Sequence, residues 1–269
     1  MRIAGSSRKD GMTLYGDKYA VWMQYNPKIG EYVYGLYTME EPSSADQISK
    51  TPILRGLYSL WRNRGVKVSF AMSAISAVGQ MMTMSEKKST RRLGYFLSMV
   101  QVGYMGLLLY KIFGFKGEVK KFHGAEHKVI NAFGVTGKKI SEEEALMASR
   151  ISRRCGTNFV AYMMATNIAV SIVPIGDGLF REMLAMGAAY ELFRMPEEKC
   201  PAIKRTMDMA GDSLQRNLMT AEPEKEQLEA ARCALNLLID AEKDLLDESE
   251  KQKYMENARE RSWMDRLIG

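Results

Sequence analysis

Residues 93–115 read LGYFLSMVQVGYMGLLLYKIFGF, and the fold expected of this chain turns on what that run is. From Leu93 to Tyr110 it holds 18 residues without a charge. A helix needs about 20 mostly apolar residues to cross the hydrocarbon core of a bilayer, and the stretch through Phe115 is long enough. Outward from it, Asn158–Gly176 is uncharged for 19 residues, broken late by Pro174. Val68–Ser85 is uncharged for 18 but only moderately apolar, and a fourth run near 183–195 is short and interrupted by Glu191. Two near-span runs in one chain are hard to explain as buried core helices. The expectation is therefore a mainly α, multi-pass membrane protein with two hairpins, about three to four helices in all. The mean hydropathy of −0.25 suits a chain whose membrane part is a minority of its mass.

Orientation follows from charge. The segment 111–157 carries ten Lys or Arg, and with two hairpins it shares a side with both termini. The positive-inside rule places all three in the cytoplasm, on a cell membrane. The first hairpin tip, EKKSTRR at 86–92, has four basic residues of its own, which suits a re-entrant or interfacial first hairpin instead.

Three regions are expected. Residues 1–50 hold a small β element, because 14–38 alternate aromatic, β-branched and polar residues around the turn signal NPKIG. Residues 51–196 form the membrane-helix core, with a histidine-bearing segment at 116–157. Residues 197–269 form a cytoplasmic helical tail, in which Leu228, Ala231, Ala234, Leu235, Leu238 and Ile239 supply one apolar face.

Composition narrows the partners. The balance of 38 Lys plus Arg against 32 Asp plus Glu, +6 in all, is too mild and dispersed to imply nucleic acid. Membrane lipids and a protein partner docking on the C-terminal helices are the expected partners. The three cysteines, Cys155, Cys200 and Cys233, are odd in number and widely spaced, so no disulfide framework is expected. No signal peptide is read at the N-terminus, where charges stand in place of an apolar core.

The chain has two histidines, and both lie in KFHGAEHKVINAF, residues 121–133. At i and i+4 on a helix, His123 and His127 share a face and can put two imidazole nitrogens on one ion. Glu126 stands near that face, in the H-x-x-E-H order of two ligands and one catalytic carboxylate. A chance pattern on a helix surface is the plain alternative. Imidazoles suit zinc, iron, copper or nickel; zinc is the first choice. A third ligand is needed. The candidates are Cys155, Asp177, Glu191, Glu222 and Glu229, with Cys155 foremost in RRCGTNF, where Thr157 can cap a helix start.

Four blocks resemble the YqhQ-like bacterial membrane proteins, a family of unknown function described as predicted metal-dependent enzymes. They are PILRG (52–56), FHGAEHK (122–128), RCGT (154–157) and LQRNLMTAEPEKEQLEAARCA (214–234), with a fainter AAYEL at 188–192. The resemblance implies several membrane helices, with the histidine motif just before one, and an acidic helix carrying Glu229. The family usually has a further histidine just before RCGT, where this chain has Ser152 and Arg153.

The combined expectation is a membrane-embedded metal-dependent hydrolase acting on a lipid or peptide. His123, His127 and Cys155 bind the metal, and Glu126 is the catalytic base. Arg55, Lys128 and Arg154 hold an anionic substrate group, and Thr157, Glu191 and Glu229 have supporting roles. The alternative is a non-catalytic membrane scaffold or assembly factor in which HGAEH is a structural clip.

Overall fold

A computed structural model describes residues 1–39, 71, 75, 78–79, 81–113, 117–153, 155–172 and 178–268. Four antiparallel strands open the chain in simple meander order: β1 (Ala4–Ser7), β2 (Gly11–Tyr15), β3 (Tyr19–Asn26) and β4 (Glu31–Thr38). The pairing sets Met12 opposite Met23, Leu14 opposite Val21 and Val21 opposite Leu36, so the period of two gathers these side chains on one buried face. NPKIG makes the β3–β4 turn, where Gly30 takes φ +70° and its N–H donates to the Asn26 carbonyl at 2.9 Å. The sheet begins before the alternation at 14–38. Strand β1, AGSS, is too small and polar to announce itself, and Gly11 is required because a Cβ there would collide with the Met23 carbonyl.

Eight α-helices follow among the described residues: α1 (Lys88–Phe113), α2 (Gly117–Thr136), α3 (Glu142–Met147), α4 (Gly156–Ile172), α5 (Gly178–Arg194), α6 (Pro201–Leu214), α7 (Lys225–Glu242) and α8 (Glu248–Ile268). A single π-helical turn, Gln215–Met219, joins α6 to the loop before α7. Helix α3 opens with a full capping box, Ser141 and Glu144 each bonding the other's main-chain N–H.

The chain divides into two compact units, each built from separated segments. The first comprises residues 1–42, 115–152 and 215–269. Its centre is α7, which packs on α2 and β3, while α8 lies against β4. Leu235 and Leu238 of α7, Val129 and Ala125 of α2, and Leu14 and Val21 of the sheet are fully buried together. The second unit comprises residues 43–114 and 153–214, and in it α4 packs against α5 and α6. There the Tyr162 hydroxyl donates to Asp208 at 3.1 Å, and Gly211 has no room for a Cβ because Asn158 occupies the space.

The membrane expectation is corrected. Among the described residues no helix is long and apolar enough to cross a membrane. That overturns the multi-pass fold with two membrane hairpins, the description as a transmembrane protein and the placement in the cell membrane. The reason lies in what the uncharged runs contain. Helix α1 is 26 residues long but starts with Lys88, Arg91 and Arg92, carries Lys111 near its end, and between them holds Ser98, Gln101 and three glycines. The described part of helix α4, Gly156–Ile172, includes Thr157, Asn158, Thr166 and Asn167. Helix α5 carries Arg181, Glu182, Glu191 and Arg194. Absence of charge is a weaker condition than apolarity. The apolar face of α7 lies in the middle of the first unit's core. Half of the run 68–85, together with Arg55, Arg154 and Asp177, lies outside the described residues.

Candidate metal centre

Helix α2 presents two faces. Phe122, Ala125, Val129 and Ala132 turn to the core, and His123, His127, Lys128 and Asn131 meet two stretches of main chain, residues 146–151 and 219–222. The second stretch runs close along the helix. The Ala221 N–H donates to the Lys120 carbonyl at 2.9 Å, and Gly124 must be glycine because a Cβ would strike the Ala221 oxygen.

Each histidine bonds a main-chain carbonyl through Nδ1. His123 Nδ1 lies 3.0 Å from the Met219 oxygen, and His127 Nδ1 lies 2.8 Å from the Arg150 oxygen. A carbonyl can only accept, so in both rings the proton sits on Nδ1 and the lone pair on Nε2. The ring centroids are 4.4 Å apart. His127 is 2% exposed, and His123 is half-buried. Metal-binding histidines are characteristically held this way, with one ring N–H on a carbonyl or carboxylate and the other nitrogen on the ion.

Glu126 is buried and faces the sheet. The Ser7 hydroxyl donates to its Oε2, and it packs so closely over Gly5 that no Cβ would fit there. Burial pushes its carboxyl above the usual range, opposed by the His123 ring and the Ser7 hydrogen bond.

Lys128 is also buried, and its Nζ donates to the carbonyls of Leu146 (2.8 Å) and Ala148 (3.0 Å) and pairs with Glu222 at 2.8 Å. Asn131 Nδ2 donates to the Ser149 and Ile151 carbonyls, both at 2.8 Å. Side chains of α2 thereby satisfy carbonyls that no helix or strand uses. Beyond them Ser152 is fixed from both sides: its N–H donates to Gln215 Oε1 at 2.9 Å, and Gln215 Nε2 donates to its carbonyl at 3.0 Å.

Cys155 stands three residues further on, just before α4, where the Thr157 N–H and hydroxyl both meet its sulfur at 3.4 Å. Glu191 lies partly exposed on α5. Glu229 is on α7, where Arg232 grips its carboxylate and holds it below the usual range. Ser7, Arg150, Gln215 and Met219 are not among the site residues that the sequence points to. The last three act through main-chain atoms or an amide far along the chain, and a main-chain carbonyl has no sequence signature.

Residues 109–241 match the model of a family described as a protein of unknown function (DUF1385). The chain is 28% identical to the uncharacterized protein YqhQ of Bacillus subtilis (strain 168) over 155 residues, which cover 54% of this chain and 44% of that one. The match thus spans less than half of the relative's length. No solved structure matches. These findings bear out the resemblance read from the sequence blocks: this chain is similar to YqhQ and to a family whose function is unknown.

Proposed function

We propose that this YqhQ-like chain binds a divalent metal ion, zinc by its chemistry, through Nε2 of His123, Nε2 of His127 and the Cys155 thiolate. The observation that carries the reading is the pair of Nδ1–H bonds to the Met219 and Arg150 carbonyls, which present both Nε2 lone pairs as ligands. Cys155 follows the anchored Ser152 by three residues, a reach of at most about 10 Å for an extended chain. Two nitrogens and one sulfur are donors that suit zinc.

That donor set supports hydrolytic chemistry on a lipid or peptide substrate. A bound zinc supplies a lowered pKa for its water and polarises the attacked carbonyl or phosphoryl group. On this reading the chain's contribution is the buried carboxyl of Glu126, three residues along the helix from His123, as the proton acceptor. Lys128 is spoken for by two carbonyls and Glu222, so its part is to hold the site's walls.

One observation favours a second reading, in which the metal is a structural clip and the helices serve a protein partner. The Glu126 carboxylate is bonded to Ser7 of the sheet, a position that also suits a purely structural tie.

The test is elemental mass spectrometry on the purified full chain, wild type beside His123→Ala/His127→Ala and Glu126→Gln. The expected result is near-stoichiometric zinc in wild type and Glu126→Gln, and none in the double variant. Metal-free wild type overturns the proposal. Hydrolysis of chromogenic esters, phosphoesters or peptides by wild type, lost in Glu126→Gln with zinc retained, selects the enzyme. No turnover with zinc retained selects the clip.

A further inference from the structure

We infer that Arg150 is the positioning residue of the metal centre, holding both imidazoles although its side chain is hydrogen-bonded to neither. The inference rests on the metal-site reading above and deepens it. Its first arm is the main-chain carbonyl, which accepts the His127 Nδ1–H at 2.8 Å. Its second arm is the guanidinium. Nη1 donates to the Thr220 carbonyl (3.0 Å), the Thr220 hydroxyl (2.6 Å) and the Arg216 carbonyl (3.3 Å), and Nη2 reaches the Arg216 carbonyl at 3.4 Å.

Those contacts clamp the π-helical turn Gln215–Met219 and the residue after it. The carbonyls at a helix's C-terminal end lack partners within the helix and ordinarily face water. Here Arg150 takes that of Arg216, and His123 takes that of Met219. Thr220 closes the turn from the other side, its N–H and hydroxyl each donating to the Gln215 carbonyl at 2.9 Å. Glu222 adds a second tie, 3.5 Å from Arg150 Nε and 2.8 Å from Lys128 Nζ. The carbonyl that orients His123 therefore sits on a turn that Arg150 grips by its side chain, beside the main-chain ties of Thr220 and Ala221. The planar fork of arginine reaches two residues at once, which a lysine cannot do.

A protein with two histidines makes the test direct. Histidine-¹⁵N-labelled, metal-free full chain is observed by long-range ¹H–¹⁵N NMR at about pH 8, above the ordinary imidazole pKa of about 6.5. In wild type both rings are expected as the Nδ1–H tautomer. In Arg150→Met, His123 is expected to become a tautomer mixture while His127 keeps its own, because the substitution leaves the residue-150 carbonyl in place. Zinc affinity, measured by competition with a chromogenic chelator, is expected to fall 10- to 100-fold. Arg150→Lys should restore little of it. An unchanged His123 tautomer with unchanged zinc affinity overturns the inference, as does equal loss at both rings. If Arg150→Met does not fold, Thr220→Val removes one clamp contact and must shift His123 the same way, or the inference fails. If wild type takes no zinc yet His123 still depends on Arg150, the metal reading falls and the positioning role stands.

Discussion

At the scale of single residues, the site depends on close approach as much as on donors. Gly124 lies between His123 and Glu126, and the main chain at Ala221 passes where its Cβ would be. The obstacle is backbone, and it is tied to Lys120 by a hydrogen bond, so it cannot step aside cheaply. Gly124→Ala is expected to destabilise the first unit by about 1–3 kcal/mol, the usual cost of overpacking, and to weaken zinc binding because the 219–222 stretch carries the His123 acceptor. Urea denaturation and zinc competition on the same variant check both. Full stability with normal zinc affinity would show that this stretch is free to yield.

At the scale of elements, helix α7 illustrates how one face makes the core and the other remains a solvated surface. Its Glu229–Arg232 pair is i,i+3 on the outer side, partly exposed, and Arg232 holds the Glu229 carboxyl below its ordinary value. A depressed folded-state pKa means the unfolded chain binds more protons across the window between the two values. The pair's contribution is therefore present above about pH 4.3 and lost as pH falls further. Exposure and salt keep it to a few tenths of a kcal/mol. Arg232→Met should lower stability slightly at neutral pH, with the difference from wild type shrinking on acidification below the ordinary carboxyl pKa of about 4.3. Paired urea titrations across that range measure it, and a difference that grows on acidification would contradict the assignment.

At the scale of the whole molecule, the unit that holds the histidines is assembled from three stretches far apart in sequence. The N-terminal sheet buries Leu14, Val21, Met23 and Leu36 in a cluster shared with Leu235, Leu238 and Ile239 of α7. Without α7 that face is exposed to water, and four strands have too little apolar area of their own to offset the entropy of ordering them. A chain ending at residue 224 is accordingly expected to lose the sheet and, with it, zinc binding. Loss of dispersed amide NMR signals from residues 1–38 would show this. A truncated chain that kept a folded sheet would show that α7 is dispensable.

Much of the fold's local grammar was legible in the sequence. NPKIG marked the β3–β4 turn, and the apolar spacing of 228–239 marked the buried face of α7. The partner of that face was not legible: it is a sheet more than 180 residues earlier, and periodicity says only that a helix has a core side. The membrane expectation failed for a related reason. Counting charge-free residues admitted Ser98, Gln101, Thr166 and Asn167 as if they were apolar. At the site, the spacing of His123 and His127 was enough to set two imidazoles on one side of one helix, because i and i+4 are neighbours by helical geometry alone. Which nitrogen meets a main-chain carbonyl was decided only by tertiary structure. The two acceptors are main-chain carbonyls 96 and 23 residues away, which every residue type possesses and only the folded chain can bring to the rings.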